Sequence, residues 1–385
     1  MKIIQVTQRF FPAIGGVETY VYNIAKKLVE KGHEVTVYTS DLLKDNPQIR
    51  LLYSEKDKVD GIRIRRFKAF RLLPEIEAST LMPSMITSLL KEEADIIHAH
   101  GYYYFPAYLA ALARHITGIP LVLTTHSGPE SRMPSLRKLY NQTVGKFCLK
   151  TTDQIISLTR RGAEYLTSIG ARSEKISVIP NGVDTNLFSR RTDGYSFREK
   201  YGIIGNVILF VGRLSKVKGL NYLIDAMPEI LNEVPDAILL IIGPDFGLKT
   251  ELRRRAKQLY IEKKVLFTGT LSGAELVDSY AASDVFVLPS IAESFGIVLL
   301  EAMAMGKPVI ATDIGAARDL IQNGVNGFII KPRRPDQIAK AVISLIKNRN
   351  LATKMGDINR KIASEYSWDN ITQAISQVYR ELCGV

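Results

Sequence analysis

The sequence predicts an α/β protein of two doubly wound domains, and three observations carry that prediction. At 385 residues the chain is longer than one ordinary hydrophobic core fills. Short β-branched runs alternate with amphipathic segments, the mark of βαβ units around a parallel sheet. That alternation stops at a polar, turn-rich stretch and then begins again.

In the first series KIIQVT reads as a strand, and residues 17–32, VETYVYNIAKKLVEKG, carry apolar side chains at helical spacing. EVTVYTS and IRIRRF follow as strands, then a helix over 79–92, the strand DIIHAH, a helix over 106–117 and the strand PLVLTTH. A helix over 135–150 and the strands QIISLT and KISVIP complete the first series. Residues 180–194, PNGVDTNLFSRRTDG, are rich in turn formers and charge and read as a linker. The second series runs VILFVG, a helix over 220–233, AILLIIG, a helix over 247–260, VLFTG, DVFVLPS, a helix over 295–305, PVIATD and GFII. From residue 335 the pattern is helical, and the last segment carries the only tryptophan, Trp368, as a packing anchor. The expected division is a first domain at 1–180, a linker at 181–194, a second domain at 195–366 and a final helix at 367–385 that packs back toward the first domain.

With 46% hydrophobic and 23% charged residues the composition is that of a folded protein. No run approaches the ~18 apolar residues of a spanning helix, and the N-terminus enters a strand pattern without a signal-peptide layout. A cytoplasmic location is expected, peripheral on the inner membrane face if the basic half meets anionic lipid. Cys148 and Cys383 have no partner at ligand spacing, so neither a disulfide framework nor a zinc site is expected. The net charge of +12 lies mostly in residues 1–180, which hold 25 Lys and Arg against 17 Asp and Glu. Such an excess suits an anionic substrate, a membrane surface or nucleic acid. No nucleic-acid module is recognisable, so nucleic acid is not an expected partner.

Ligands of doubly wound sheets bind outside the carboxyl ends of strands, so chemistry is sought in the loops that follow them. After the first strand, Gly15 and Gly16 precede a helix, where backbone N–H groups can face an anion; a plain tight turn is the alternative. After the first strand of the second series come Arg213, Lys216 and Lys218, a planar fork and two point charges suited to a diphosphate. In ESFGIVLLEAMAMGKP, Glu293 stands at a helix mouth, with Ser294 as its N-cap, and Glu301 lies two turns on in an apolar run. A carboxylate there can accept two hydroxyl hydrogen bonds, as a ribose diol offers; pairing with a buried cation is the alternative. His126 ends the strand PLVLTTH, where it could donate to a sugar or relay a proton. His98 and His100 are read as alternating faces of their strand, His98 as structural and His100, with Arg9, on the acceptor side. The basic run at 61–73, with Arg132, Arg137, Lys138, Lys146 and Lys150, is either a membrane-docking surface or a solvated basic face.

These segments together resemble the retaining, nucleotide-sugar-dependent glycosyltransferases of family 4, with the GT-B fold of two Rossmann-like domains facing across a cleft. The resemblance runs through GGVETYVYNIAKKLVEKGHEVTVYT, DIIHAHG, TTHS, VIPNGVD, VGRLSKVKG and ESFGIVLLEAMAMGKPVIATD. It implies that Arg213 and Lys218 hold the donor diphosphate, Glu301 the ribose hydroxyls and Glu293 the hydroxyls of the transferred sugar. It further implies that Phe295, Gly296 and Ile297 offer backbone N–H groups, that Gly16 approaches the phosphate and that His126 contacts the sugar near its reacting face. Similar enzymes retain anomeric configuration and require no cofactor or divalent metal, so a UDP- or GDP-linked sugar is the expected co-substrate. The first-domain segments are similar to enzymes acting on lipid-linked acceptors, including the phosphatidylinositol glycan branch. IGAARDL and PDFG depart from the family's usual loops, near the donor. A sugar phosphorylase or epimerase of the same fold and, outside enzymes, a basic nucleic-acid-binding protein are the competing readings.

Overall fold

The structure, a computed structural model, describes residues 1–13, 15–44, 49–51, 56–71, 80–126, 134–189 and 192–384. Residues 72, 73 and 79 and Arg132, which figure in the expectations above, lie outside the described residues. The chain divides into two compact units, one formed by Met1–Asn181 with Trp368–Val385, the other by Gly182–Ser367.

The first unit is built on β1 (Lys2–Val6), β2 (Glu34–Ser40), β3 (Lys56–Val59), β4 (Ile62–Phe67), β5 (Ile96–His100), β6 (Leu121–Thr124), β7 (Gln154–Ser157) and β8 (Ile176–Val178). They form one sheet in the order β8-β7-β6-β5-β1-β2-β4-β3. All neighbours are parallel except β3, which adds to β4 as an antiparallel hairpin. β1 and β5 are buried along nearly their whole length, as a sheet covered on both faces requires. The chain winds outward from β1 on one side and then returns to start β5 on the other, so the strand order reverses between them. The final helix, Trp368–Cys383, belongs to this unit, and Trp368 packs edge-on against Tyr20 of the helix Gly16–Glu30 at 5.8 Å.

The second unit contains β9 (Val207–Val211), β10 (Ile238–Ile242), β11 (Val265–Gly269), β12 (Val285–Leu288), β13 (Val309–Thr312) and β14 (Gly327–Ile330). Their order, β11-β10-β9-β12-β13-β14, is that of a Rossmann sheet, with its reversal between β9 and β12. All pairs are parallel.

Several elements differ from expectation for physical reasons. The helix expected over 135–150 is two, Pro134–Gln142 and Val144–Thr151, broken at Thr143, whose ψ of −102° is not helical. The helix expected over 79–92 is only Ser84–Leu89, opening directly after Pro83. Part of the stretch read as linker folds as the short helix Thr185–Phe188, capped by the Asp184 carboxylate, and belongs to the second unit. The basic strand β4 is no free cationic face: Arg63 pairs with Glu34, Arg65 with Glu92 and Arg66 with Asp57.

Candidate active site

In the second unit the strand-order reversal sets the end of β9 beside the end of β12, which is what brings two distant sequence motifs together. After β9 the chain makes a turn at Lys216–Lys218 that closes on Gly219, whose φ is +66°. A Cβ at Gly219 would lie 2.1 Å from the carbonyl oxygen of Pro289, so only glycine lets this turn press against the end of β12. The Ile291 N–H then donates to the Val217 carbonyl at 2.7 Å and joins the two loops. The outcome is an ion pair between Lys218 and Glu293, each side chain only 14% exposed. Lys216, by contrast, is exposed.

Arg213 stacks on the ring of Phe246 at 5.2 Å. Phe246 sits in PDFG, the loop after β10, which runs alongside the loop after β9 through Leu214 N–H to Pro244 and Phe246 N–H to Leu214. The sequence marked PDFG as an unusual loop but assigned Phe246 itself no role; that role follows from the adjacency of β9 and β10.

The helix after β12 begins at Ile297 and not at Phe295, and its N-cap is Gly296 at φ +92°, without a side-chain cap. Ser294 is therefore not the N-cap that sequence reasoning assigned, because a residue must occupy the left-handed region there and glycine does so without strain. Phe295 is buried, and in the helix's first turn the Leu299 N–H donates back to the Gly296 carbonyl at 2.9 Å. Gly315, from IGAARDL, backs this loop: a Cβ there would sit 3.0 Å from the Glu293 carbonyl oxygen.

Glu301 lies on that helix's second turn. Its carboxylate accepts a hydrogen bond from the Tyr280 hydroxyl at 2.7 Å, and no Lys, Arg or His of the described residues pairs with it. Burial pushes its pKa up to about 7, and the Tyr280 bond offsets only part of that rise. The phenol of Tyr280 is itself shifted well upward, first by burial and then by the neighbouring carboxylate. Tyr280, the one side chain among the described residues that hydrogen-bonds Glu301, lies at no motif spacing and was not legible in the sequence.

The first unit gathers its own group at the ends of β1, β5 and β6. His126 follows β6 with φ +49°, a strained conformation for a residue with a Cβ. Its Nε2 lies 3.1 Å from Nδ1 of His100, and its ring meets Tyr20 edge-on at 4.8 Å. His98 and His100 share one face of β5, since strand side chains alternate with a period of two; their rings are 4.2 Å apart. Both are fully buried, so His100 acts through His126 and Gln5 and presents no surface to an acceptor.

Gly15 and Gly16 differ in what they permit. Arg9 forms a buried ion pair with Glu18 at 2.9 Å, and the Glu18 carboxylate fills the space where a Cβ of Gly15 would be, 2.2 Å from its Oε2. Gly15 thus makes room for the Arg9–Glu18 pair, and its backbone is extended, at φ 175°. Among the described residues nothing lies within 4 Å of where a Cβ of Gly16 would be, beyond its own chain neighbours and helix backbone, and that opening is where a ligand could approach the helix N-terminus. Among the described residues, no group of three or more His, Cys, Asp or Glu is placed to hold a metal ion, and no helix is long and apolar enough to cross a membrane.

Residues 14–187 match the family model described as Glycosyltransferase Family 4, and residues 196–362 that of Glycosyl transferases group 1. An uncharacterized glycosyltransferase of Methanocaldococcus jannaschii is 32% identical, with 99% of this chain and 98% of that protein covered. A D-inositol 3-phosphate glycosyltransferase of Acidothermus cellulolyticus is 29% identical, over 95% and 86% of the two chains. Among solved structures, HepE of Anabaena, seen in complex with UDP and with UDP-glucose, superposes with a TM-score of 0.81 at 25% identity, covering 99% of this chain and 100% of that one. The chain belongs to the family 4 glycosyltransferases, and its two Rossmann-like domains are those of the GT-B fold.

Proposed function

We propose that the protein is a retaining glycosyltransferase that moves a hexosyl unit from a UDP-linked sugar to an acceptor hydroxyl displayed at an anionic membrane surface. The observation that carries the nucleotide part is Glu301, a desolvated acid whose side-chain partner among the described residues is one neutral hydroxyl. A ribose diol supplies the two donors that such a carboxylate lacks. Arg213 and Lys218 take the diphosphate, Glu293 the hydroxyls of the transferred sugar, and the N–H groups of Phe295, Gly296 and Ile297 the remaining oxygens. His126 contacts the sugar near its reacting carbon.

In the reaction the bond from the anomeric carbon to the phosphate oxygen breaks, and the acceptor oxygen bonds to the same face. The acceptor proton passes to the departing phosphate. Charge growing on that phosphate is met by the Arg213 and Lys218 cations, so a divalent metal is not required. The choice of UDP is favoured by the Anabaena relative, whose complexes contain UDP and UDP-glucose.

Calorimetric titration with UDP-glucose and GDP-mannose, with and without EDTA, tests this half. Binding of the UDP sugar alone, unchanged by chelation, is expected; binding of neither would sink the donor assignment.

The membrane part rests on the helices Pro134–Gln142 and Val144–Thr151. Leu136, Leu139 and Val144 are exposed by 50%, 57% and 38%, next to exposed Lys138, Lys146 and Lys150. Apolar side chains to insert and cations to meet anionic lipid, about 1 kcal/mol each, are the two signals that stable surface binding needs. The protein should sediment with vesicles containing phosphatidylserine and not with pure phosphatidylcholine, and Lys138→Glu with Lys146→Glu should abolish this. Equal sedimentation with both lipids would remove the membrane from the reading.

A further inference from the structure

The second unit holds a cavity of about 990 Å³ at the ends of its strands opposite to the donor loops. Lys307, in its lining, lies just before β13 and Ala281 just before β12, whereas the donor motifs follow β9 and β12. Two cations meet there. Lys307 donates from Nζ to the Ala281 carbonyl at 2.8 Å and to the Ser283 carbonyl at 2.7 Å, which leaves the third N–H of its ammonium without a partner among the described residues. Arg360 is set beside it by two glycines. A Cβ on Gly356 would run into the Gly306 carbonyl, so the helix Arg349–Glu365 packs directly on the turn at Gly306, whose φ is +66°. One helical turn beyond Gly356, the Arg360 guanidinium fills the space that a Cβ on Gly306 would need.

The acids nearby do not balance this pair. Arg360 meets Asp357 at 2.9 Å, but both side chains are more than half exposed, and a surface pair of that kind holds a guanidinium weakly. Burial pushes Lys307 down to about 8; Asp284 pulls it back up, and Arg360 and Arg198 press it further down. Asp284 is itself shared with Arg198 at 3.0 Å and Arg349 at 3.7 Å. At pH 7 Lys307 is therefore charged, with an N–H to spare beside a guanidinium fork, the donor set that suits a phosphate. The rest of the lining is rich in hydroxyl groups. Thr185 and Ser189 come from the helix Thr185–Phe188 and its end, and Ser364 lies one turn beyond Arg360. Asp193, exposed, adds a carboxylate that accepts from hydroxyl groups.

We propose that this cavity is a second ligand site, for a sugar or polyol phosphate, with the phosphate between Lys307 and Arg360 and the hydroxyl groups against Thr185, Ser189 and Asp193. A bare anion would leave the hydroxyl-lined wall and the Asp193 carboxylate unused, and an uncharged sugar would leave the two cations unmatched. The site shares no residue with the donor loops, so its occupancy is measured by binding alone and does not rest on the glycosyltransferase reading.

The test is equilibrium dialysis of the full-length protein against glucose 6-phosphate, glycerol 3-phosphate, inorganic phosphate and free glucose. At pH 7 the two organic phosphates should bind with Kd below about 1 mM, and about tenfold or more tightly than inorganic phosphate or glucose. Arg360→Ala, a change at a side chain more than half exposed, should weaken glucose 6-phosphate binding by about tenfold or more, the size of one charge-assisted hydrogen bond. Arg213→Ala, in the donor loop, should leave it unchanged. Above pH 7 a phosphate monoester is already largely a dianion, so further pH dependence belongs to the protein. Affinity should change little from pH 7 to 8 and then fall toward about tenfold per unit as Lys307 loses its proton. In Lys307→Met that fall should vanish together with most of the binding; should this variant fail to fold, Arg360→Ala and the wild-type profile decide. No binding of either organic phosphate, binding that survives Arg360→Ala, binding lost in Arg213→Ala, or an affinity that stays constant above pH 8 overturns the proposal. Inorganic phosphate bound as tightly as glucose 6-phosphate overturns the assignment to a sugar or polyol phosphate.

Discussion

Replacing Lys218 with alanine is expected to lower sugar transfer by about a hundredfold to a thousandfold, the loss seen when one preorganised charge-stabilising group is removed. Charge on the leaving diphosphate grows as the glycosidic bond breaks, so a cation fixed beside it acts more strongly on the transition state than on the bound donor. The same variant should unfold more readily. Glu293 would lose its partner at a site where both side chains are 14% exposed, and stripping one member from a largely buried pair costs about 3 kcal/mol. The double variant Lys218→Ala, Glu293→Gln separates the effects: removing the orphaned charge should restore most of the melting temperature and none of the turnover. Lys216→Ala is the comparison, because Lys216 is exposed two residues before the ion-paired Lys218, and its loss should change turnover by less than tenfold. Comparable losses in Lys216→Ala and Lys218→Ala would mean that the loop acts as a diffuse basic patch and that the ion pair has no special place in the site.

The contrast between Lys216 and Lys218 shows what the sequence could and could not specify. Strand periodicity and the position of each motif after a strand were legible, because a buried parallel strand needs a continuous apolar run and a ligand loop needs glycine and charge. Which lysine faces inward was not legible, because that depends on a turn closed by Gly219 against Pro289, seventy residues away in the chain. The same holds for Phe246 under Arg213 and Tyr280 on Glu301. Each is an ordinary aromatic by local pattern, and each gains its role from strand order. Ser294 shows the opposite failure: a serine before a helical run is a sound capping signal, yet the left-handed turn at Gly296 moved the cap two residues on. Reading His98 and His100 as facing opposite ways was an error of period, and correcting it places both buried rings on one face of β5, 4.2 Å apart.

Glu301→Gln should weaken UDP-glucose binding while making the empty protein more stable, a pairing that follows from where the carboxyl group sits. In the unfolded chain this acid titrates near 4.5, and in the fold at about 7. Between those values the native state holds a proton that the unfolded state has lost, so folding stability declines as pH rises through the interval, by about 3 kcal/mol once pH exceeds 7. Glutamine carries no charge to bury, so at pH 8 without ligand the variant should melt several degrees above wild type. The ribose diol reverses the ranking. Two hydroxyl donors to an ionised carboxylate contribute about 1.5–3 kcal/mol each, so the variant should bind UDP-glucose at least tenfold more weakly at pH 8. Wild-type affinity should fall about tenfold for each pH unit below 7, because the diol must first expel the proton, and calorimetry at pH 6 in buffers of differing ionisation enthalpy should register its release. UDP-glucose is the proper ligand here, since its esterified diphosphate has no ionisation of its own in this range. In the variant the slope should vanish. A flat wild-type profile, or a glutamine variant no more stable than wild type at pH 8, would mean that Glu301 is already satisfied without nucleotide. The expected result would instead identify a carboxylate kept at a cost to the fold because the donor's ribose satisfies it.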